Sequence, residues 1–505
     1  MSIFKSTLSA VIHTSDLTNF LHWKNKSDLN FLSLQSKQSF IKLAAFSYPK
    51  TTFNINKNEL SCSYLLADDD KFTITLSEKG CQISTPLLSE LQVFWFKTDS
   101  VLYFADSFFD LIELIPVNER PKLNLTGILE YITHTYSLQN RTLFHGVTLL
   151  SGNQILNWDK NDVNIKLRKP VADQIKKFPV PKNKLEAINK ISNLVSAQIA
   201  KISPNLEKVG ALSGGTDSAI ISHLATKFGC TKFITILLSG EDEAIQLKQL
   251  NQIKKYIKGD FITCKANIQP LLVSQENWQL DPYINPYLSI NLPLIKQIKK
   301  ANCEIHLDGI GGGDFFSISR QISKNKEIKT NDLKNFSEFF SDLGKSHFSE
   351  KLATNTSKNI NSLIPSDISS TLLEKNIPFK KAGIWPISPF LSNSLISYSL
   401  HLTKEMMYGK AVLNTYLENN FQMTDQKKTG SFFPYFSGSF KKLVQEKGVD
   451  FYTNSLLLSS GLFNNSKVMD LVKKILNESK DVSNSEKSFL FFFTRLEIYF
   501  RYLYP

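Results

Sequence analysis

The chain holds only five cysteines among 505 residues, Cys62, Cys81, Cys230, Cys264 and Cys303. Their odd number and irregular spacing fit neither a disulfide framework nor a cysteine metal site. No apolar run approaches the roughly 18 residues needed to span a bilayer; Phe489-Leu490-Phe491-Phe492-Phe493 is far too short. The first residues lack the basic-then-apolar layout of a signal peptide. A soluble, reduced, cytoplasmic protein is the expectation. The formal charge is +13, but the lysines are scattered, with short pairs such as Lys176-Lys177 and Lys299-Lys300. No arginine-rich stripe or aromatic array accompanies them, so a mildly anion-seeking surface is expected and a nucleic-acid partner is not. A hydrophobic fraction of 42% excludes global disorder.

The chemistry that is present centres on Ser213-Gly214-Gly215-Thr216-Asp217-Ser218. The apolar run Val209-Gly210-Ala211-Leu212 precedes it and Ala219-Ile220-Ile221-Ser222-His223-Leu224-Ala225 follows. That order predicts a buried strand, a tight turn and a helix start. Small residues let backbone N–H groups converge on an anion there, and the helix dipole adds to the attraction. Asp217 is oddly acidic for a bare phosphate pocket, and a bound Mg²⁺ would account for it. The Gly-Lys-Ser/Thr ending of the Walker loop is missing.

Residues 1 to about 170 read as β-rich, with short alternating runs such as Phe72-Thr73-Ile74-Thr75-Leu76 and Val101-Leu102-Tyr103-Phe104. A Pro- and Lys-rich linker is expected over 171–184. Beyond it, Ile188, Ile191, Leu194, Val195, Ile199 and Ile202 share one face of a helix. Further strands are predicted at Phe233–Leu238 and Glu304–Leu307, and strands alternating with helices predict a parallel, doubly wound sheet. The segment from 317 to 365 is polar, and the remainder reads as helical.

Around the glycine loop, other landmarks fall in one order. Leu307-Asp308-Gly309-Ile310-Gly311-Gly312-Gly313-Asp314-Phe315-Phe316 resembles the second glycine-rich loop of asparagine synthetases. Ser388-Pro389-Phe390-Leu391 resembles their Pro-Phe-Leu-Asp, with Ser392 where Asp is usual, and Gly409-Lys410-Ala411-Val412-Leu413 resembles their Gly-Lys helix start. Upstream, Arg141-Thr142-Leu143-Phe144-His145-Gly146-Val147 is similar to a segment of the same family. The resemblance implies an α/β protein in two parts. Residues 1–170 would form a degenerate glutaminase-like αββα sandwich. Residues 185–505 would form a doubly wound PP-loop synthetase domain with helical additions, of the kind that splits ATP into AMP and pyrophosphate.

The departures narrow the expectation. The chain opens Met1-Ser2-Ile3, has no cysteine before Cys62 and no arginine before Arg120. The family's glutaminase needs an N-terminal cysteine nucleophile and an arginine for the α-carboxylate of glutamine, so a working glutaminase is not expected. A synthetase half without an ammonia source needs another amine, which resembles β-lactam synthetases and, in size and layout, lasso-peptide macrolactam cyclases. The implied activity is adenylation of an Asp or Glu side chain of a precursor core peptide, attacked by the peptide's N-terminal amine. A leader-binding or leader-cleaving protein is an implied partner. Small-molecule amide or β-lactam synthesis and tRNA modification by a PP-loop enzyme are the alternatives.

By resemblance, Leu212, Ser213, Gly214, Gly215, Thr216, Asp217, Ser218, Ile236, Asp308 and Gly309 would bind the nucleotide. Asp217 and Asp314 would hold Mg²⁺. Lys428, in Lys428-Thr429-Gly430, would stabilise transition-state charge. Glu241 and Glu243 are open candidates for a general base, while His223 reads as packing and His306 is ambiguous.

Overall fold

The computed structural model describes residues 8–13, 24–28, 31–35, 40–41, 44–45, 51–56, 59–65, 71–77, 80–87, 93–134, 141–150, 152–159, 161–238, 243–266, 277–284, 288–317, 336–346, 366–424, 433–477 and 481–505. Among these residues no helix is long and apolar enough to cross a membrane. Cys81, Cys230, Cys264 and Cys303 are buried free thiols.

The described N-terminal strands form three antiparallel sheets, the smallest made of Lys24–Asp28, Phe31–Gln35 and Phe40–Ile41 and the other two larger. One of the larger two runs in the order Thr148–Leu150, Val93–Lys97, Val101–Ala105, Leu8–His13 and Ala44–Ala45. The other runs Val163–Leu167, Gln154–Trp158, Gly80–Ser84, Lys71–Ser77, Glu59–Leu65 and Thr51–Asn56. Period-two alternation decides what each face meets. Phe72, Ile74 and Leu76 are buried while Thr73, Thr75 and Ser77 are only half-buried. These inward residues share a core with Val93, Trp95, Leu102 and Phe104 of the first sheet, which makes a sandwich. The reverse face of the first sheet, with Phe94 and Tyr103, packs on helices Phe108–Leu114 and Leu125–His134.

The second unit is a parallel sheet. Its strands, numbered within the unit, are β1 (Lys208–Ala211), β2 (Lys232–Leu238), β3 (Asp260–Ala266), β4 (Ile305–Leu307) and β5 (Trp385–Ile387). They lie in the order β3-β2-β1-β4-β5, every pair parallel. The helices that matter for the site are α1 (Lys184–Ala200), α2 (Thr216–Thr226), α3 (Glu243–Lys254), α4 (Leu288–Lys300), α5 (Ser366–Lys381), α6 (Ala411–Phe421) and α7 (Asn484–Leu503). Asn183 caps α1 by accepting from the Glu186 N–H at 2.9 Å. Ile188, Ile191, Val195 and Ile199 then form its buried stripe, each contributing about 1.5–3 kcal/mol by leaving water. One sheet face packs Phe233 against Ala219, Ile220 and Leu224 of α2. The opposite face packs Val209, Ile234 and Cys264 against Ile295 and Ile298 of α4 and Phe379 of α5. Helices on both faces make the sheet doubly wound, as expected.

Strands β3 and β5 were not among the expected ones. Both are edge strands, and β5 carries Pro386, which an edge tolerates because the missing N–H breaks no central ladder. The stretch read as a linker is pinned at several points. The Lys176 N–H donates to Ser397 Oγ at 3.0 Å, Lys176 Nζ reaches Ser394 Oγ at 2.8 Å, and Phe178 meets Tyr398 edge-on.

Candidate functional site

In the order β3-β2-β1-β4-β5 the chain reverses direction of growth between β1 and β4. Doubly wound sheets bind ligands in the crevice beyond the strand carboxyl ends at such a switch point. The Ser213–Ser218 loop leaves β1 there and enters α2. The loop is braced from inside. Ser218 Oγ accepts from the Ser213 N–H at 3.1 Å, lies 2.9 Å from Ser213 Oγ and donates to the Gly215 carbonyl at 3.1 Å. Gly214 turns the chain with φ +87°, a conformation that a side chain disfavours. Gly215 is the N-cap of α2 and no side chain caps that helix, so its first turn presents backbone donors and the positive end of the dipole. From α3, Gln246 Nε2 donates to the Ser213 carbonyl at 3.1 Å and to the Ile236 carbonyl at 2.9 Å, tying the ends of β1 and β2 together.

The second glycine-rich loop lies directly on this turn. A Cβ built at Gly309 would sit 2.7 Å from the Ser218 nitrogen, and one at Gly312 would sit 2.6 Å from Asp217 Cγ. Only glycine permits that approach, which places the backbone after β4 against the Asp217 side chain. The root of the loop is Asp308, a buried carboxylate. It accepts from Ser388 Oγ at 2.8 Å and the Ile310 N–H at 2.9 Å, and it is ion-paired with Lys375 of α5. Burial pushes the Asp308 carboxyl up, but Lys375, His306 and the hydrogen bonds outweigh it, so the net shift is downward. With its side chain so engaged, Asp308 can offer a nucleotide only its backbone.

Lys410 completes the cluster. Its Nζ donates to Asp217 Oδ2 at 2.7 Å, and Asn414 Oδ1 on the same helix accepts from Thr216 Oγ1 at 3.4 Å. Asp217 Oδ1 is buried without a partner among the described residues. Lys410 sits in the left-handed region at φ 62°, ψ 30°, as the uncapped N-cap of α6. Such a conformation costs a non-glycine residue about 1–2 kcal/mol and gathers at functional sites. The Gly-Lys pair ahead of a helix was the available signal for Lys410; Gln246 had none, since its role depends on two strand ends meeting in space.

The remaining expected residues divide. Leu212 is buried and Ile236 half-buried at the ends of β1 and β2, beside the loop. Asp314, half-buried, lies within the short helix Gly312–Phe315 at the end of the second loop, with its N–H on the Gly311 carbonyl at 3.1 Å. Glu243 opens α3. Lys428 and Glu241 lie outside the described residues. Ser392, at the usual aspartate position, caps the helix Asn393–Ser399 by accepting from the Leu395 N–H at 3.2 Å. His223 packs, with Nδ1 2.9 Å from the Tyr416 hydroxyl and its ring on Phe421. Among the described residues no group of three His, Cys, Asp or Glu side chains forms a metal cage.

His306 is buried in β4, stacked 4.7 Å from the Phe379 ring, and neither ring nitrogen has a partner among the described residues. Burial and nearby Lys375 lower its pKa to about 3, against a smaller opposing pull from Asp308. A depressed histidine stays neutral in the fold and takes a proton only when unfolded, so stability falls as pH drops from about 6.5 towards 3. The slope is about 1.4 kcal/mol per pH unit. Denaturant midpoints of His306→Leu are expected to fall less steeply than those of the wild type between pH 6.5 and pH 4.5. Parallel curves would show that His306 does not carry this dependence.

No family model matches the chain, and no curated protein does. Among solved structures it aligns with a U34-tRNA thiolase, NcsA from Methanococcus maripaludis with its 4Fe-4S cluster. The identity is 12%, over 63% of this chain and 80% of that one, with a TM-score of 0.24. At that level the likeness says nothing about chemistry, and the site rests on its own geometry: an anion-ready loop at the switch point of an α/β sheet.

Proposed function

We propose that this protein is an ATP-dependent, AMP-forming amide synthetase that closes a macrolactam ring in a peptide, as lasso-peptide cyclases do. The observation that carries the reading is the meeting of Asp217, Lys410 and two glycine-rich backbones at the mouth of β1. An uncapped helix start and a lysine suit a polyphosphate. The Asp217 carboxylate, with one buried oxygen unpartnered, fits a hard cation such as Mg²⁺; Asp217 and Asp314 would hold it, and it would neutralise charge on departing pyrophosphate.

In the proposed reaction a peptide carboxylate oxygen bonds to the α-phosphorus of ATP and pyrophosphate leaves. The N-terminal amine then attacks the acyl carbon, AMP leaves, and the amine loses a proton. The loop N–H groups and Lys410 act on the phosphates, and Lys428 is proposed to stabilise charge at the reacting centre. The N-terminal sandwich, in this reading, is not a working glutaminase.

The test supplies ATP, Mg²⁺ and a peptide with a free N-terminus and an internal Asp or Glu. Expected products are AMP, pyrophosphate and a peptide lighter by one water, read by mass spectrometry. ADP as the product would overturn the PP-loop chemistry; AMP formation only with a small amino acid derivative would move the substrate to the β-lactam synthetase class.

A further inference from the structure

Three segments of the parallel-sheet unit close on one turn of the sandwich, Ala105-Asp106-Ser107-Phe108-Phe109-Asp110. Lys380 and Lys381, consecutive residues at the end of α5, are 4% and 3% exposed. Lys380 Nζ lies 4.0 Å from Asp106 and 5.2 Å from the centre of the Trp385 ring, and Lys381 is ion-paired with Asp110. Asp281, fully buried, accepts from Ser107 Oγ at 3.0 Å and from the Phe109 N–H at 2.9 Å. Arg495 of α7 in turn donates to the Asp281 carbonyl at 2.7 Å. Burying lysine is costly unless it is paired, so two in succession mark a geometry that depends on both units.

The same helix carries Lys375, which holds Asp308. Lys375 and Lys381 stand six positions apart along the helix, about 9 Å. The Phe379 ring between them has His306 stacked on it and Lys375 Nζ 5.8 Å from its centre. A continuous chain of contacts therefore runs from the sandwich turn, through α5, to the root of the second glycine-rich loop and so to Asp217.

We propose that the N-terminal sandwich is a positioning domain for the nucleotide site. Docking of Asp106 and Asp110 on Lys380 and Lys381 sets α5; α5 sets Asp308 through Lys375; Asp308 sets the Gly309–Gly312 backbone against Asp217. Asp110, Lys381 and Lys375 are positioning residues, each acting through another side chain. This inference rests on the Ser213–Ser218 loop being a nucleotide site.

The experiment measures the Kd for Mg-ATP by calorimetry on the full chain, at a temperature where circular dichroism shows each variant folded. Asp110→Asn is expected to raise Kd about tenfold, and Asp110→Glu to restore it. A pair that merely fastens two domains would lower the melting temperature and leave the Kd of the folded protein unchanged, and that result overturns the proposal. If Asp110→Asn does not fold, Asp106→Asn decides, because Lys380 keeps its contact with Trp385: a raised Kd supports the proposal and a wild-type Kd overturns it. Failure of the wild type to bind Mg-ATP would instead remove the nucleotide reading beneath it.

Discussion

Asp217→Asn is expected to lower AMP formation about 10³-fold while leaving the fold intact. The amide has nearly the shape of the carboxylate but no charge. It loses the ion pair to Lys410 Nζ, and its buried oxygen can no longer serve as an anionic ligand for a cation. Removing one well-placed charge or donor at a transition state commonly costs roughly 10²–10³ in rate, and losing cation affinity adds to that. The stability cost is small, because the Asp217 and Lys410 side chains are 21% and 30% exposed and such pairs contribute about 1 kcal/mol or less. Nucleotide analysis of the reaction checks this directly. Activity within threefold of the wild type would mean that Asp217 is not at the reacting phosphates.

Lys410→Gly carries the second large effect, and it separates charge from backbone. Glycine accepts φ 62°, ψ 30° without the strain that lysine carries there. Relief of that strain offsets the lost ion pair and the greater freedom of glycine in the unfolded chain, so stability should stay within about 1 kcal/mol of the wild type. The rate of pyrophosphate release should nevertheless fall about 10²-fold, since no ammonium then faces the polyphosphate. A protein of unchanged stability and lost activity is the signature of a residue held in a strained place for function. Normal turnover would show that the Lys410–Asp217 contact is only a surface ion pair.

Much of this arrangement is legible in the residues. The loop Ser213–Ser218 follows a buried strand and starts a helix, as its small residues and apolar flanks require. The stripe on α1 and the alternation from Phe72 to Leu76 also match their burial. Edge strands carry a weaker signal. Strand β3 exposes Thr263 and Lys265 and holds Ile262 only half-buried, so its pattern is too weak to separate it from a loop. Strand β5 spans three residues and includes a proline.

Local pattern by itself indicated most element types, the parallel sheet and the two glycine loops, though not the edge strands β3 and β5. Those properties depend on neighbours three or four residues away, through periodicity, capping and backbone sterics. Tertiary structure alone decided that Lys410, 193 positions from Asp217, would supply its counter-charge. It alone buried the Asp308 carboxylate against Lys375, and joined Lys380 and Lys381 to two aspartates of the sandwich. A charge in a sequence has no partner until folding removes the water around it. Which opposite charge it then meets depends on strand order and helix packing, which no short window of sequence contains.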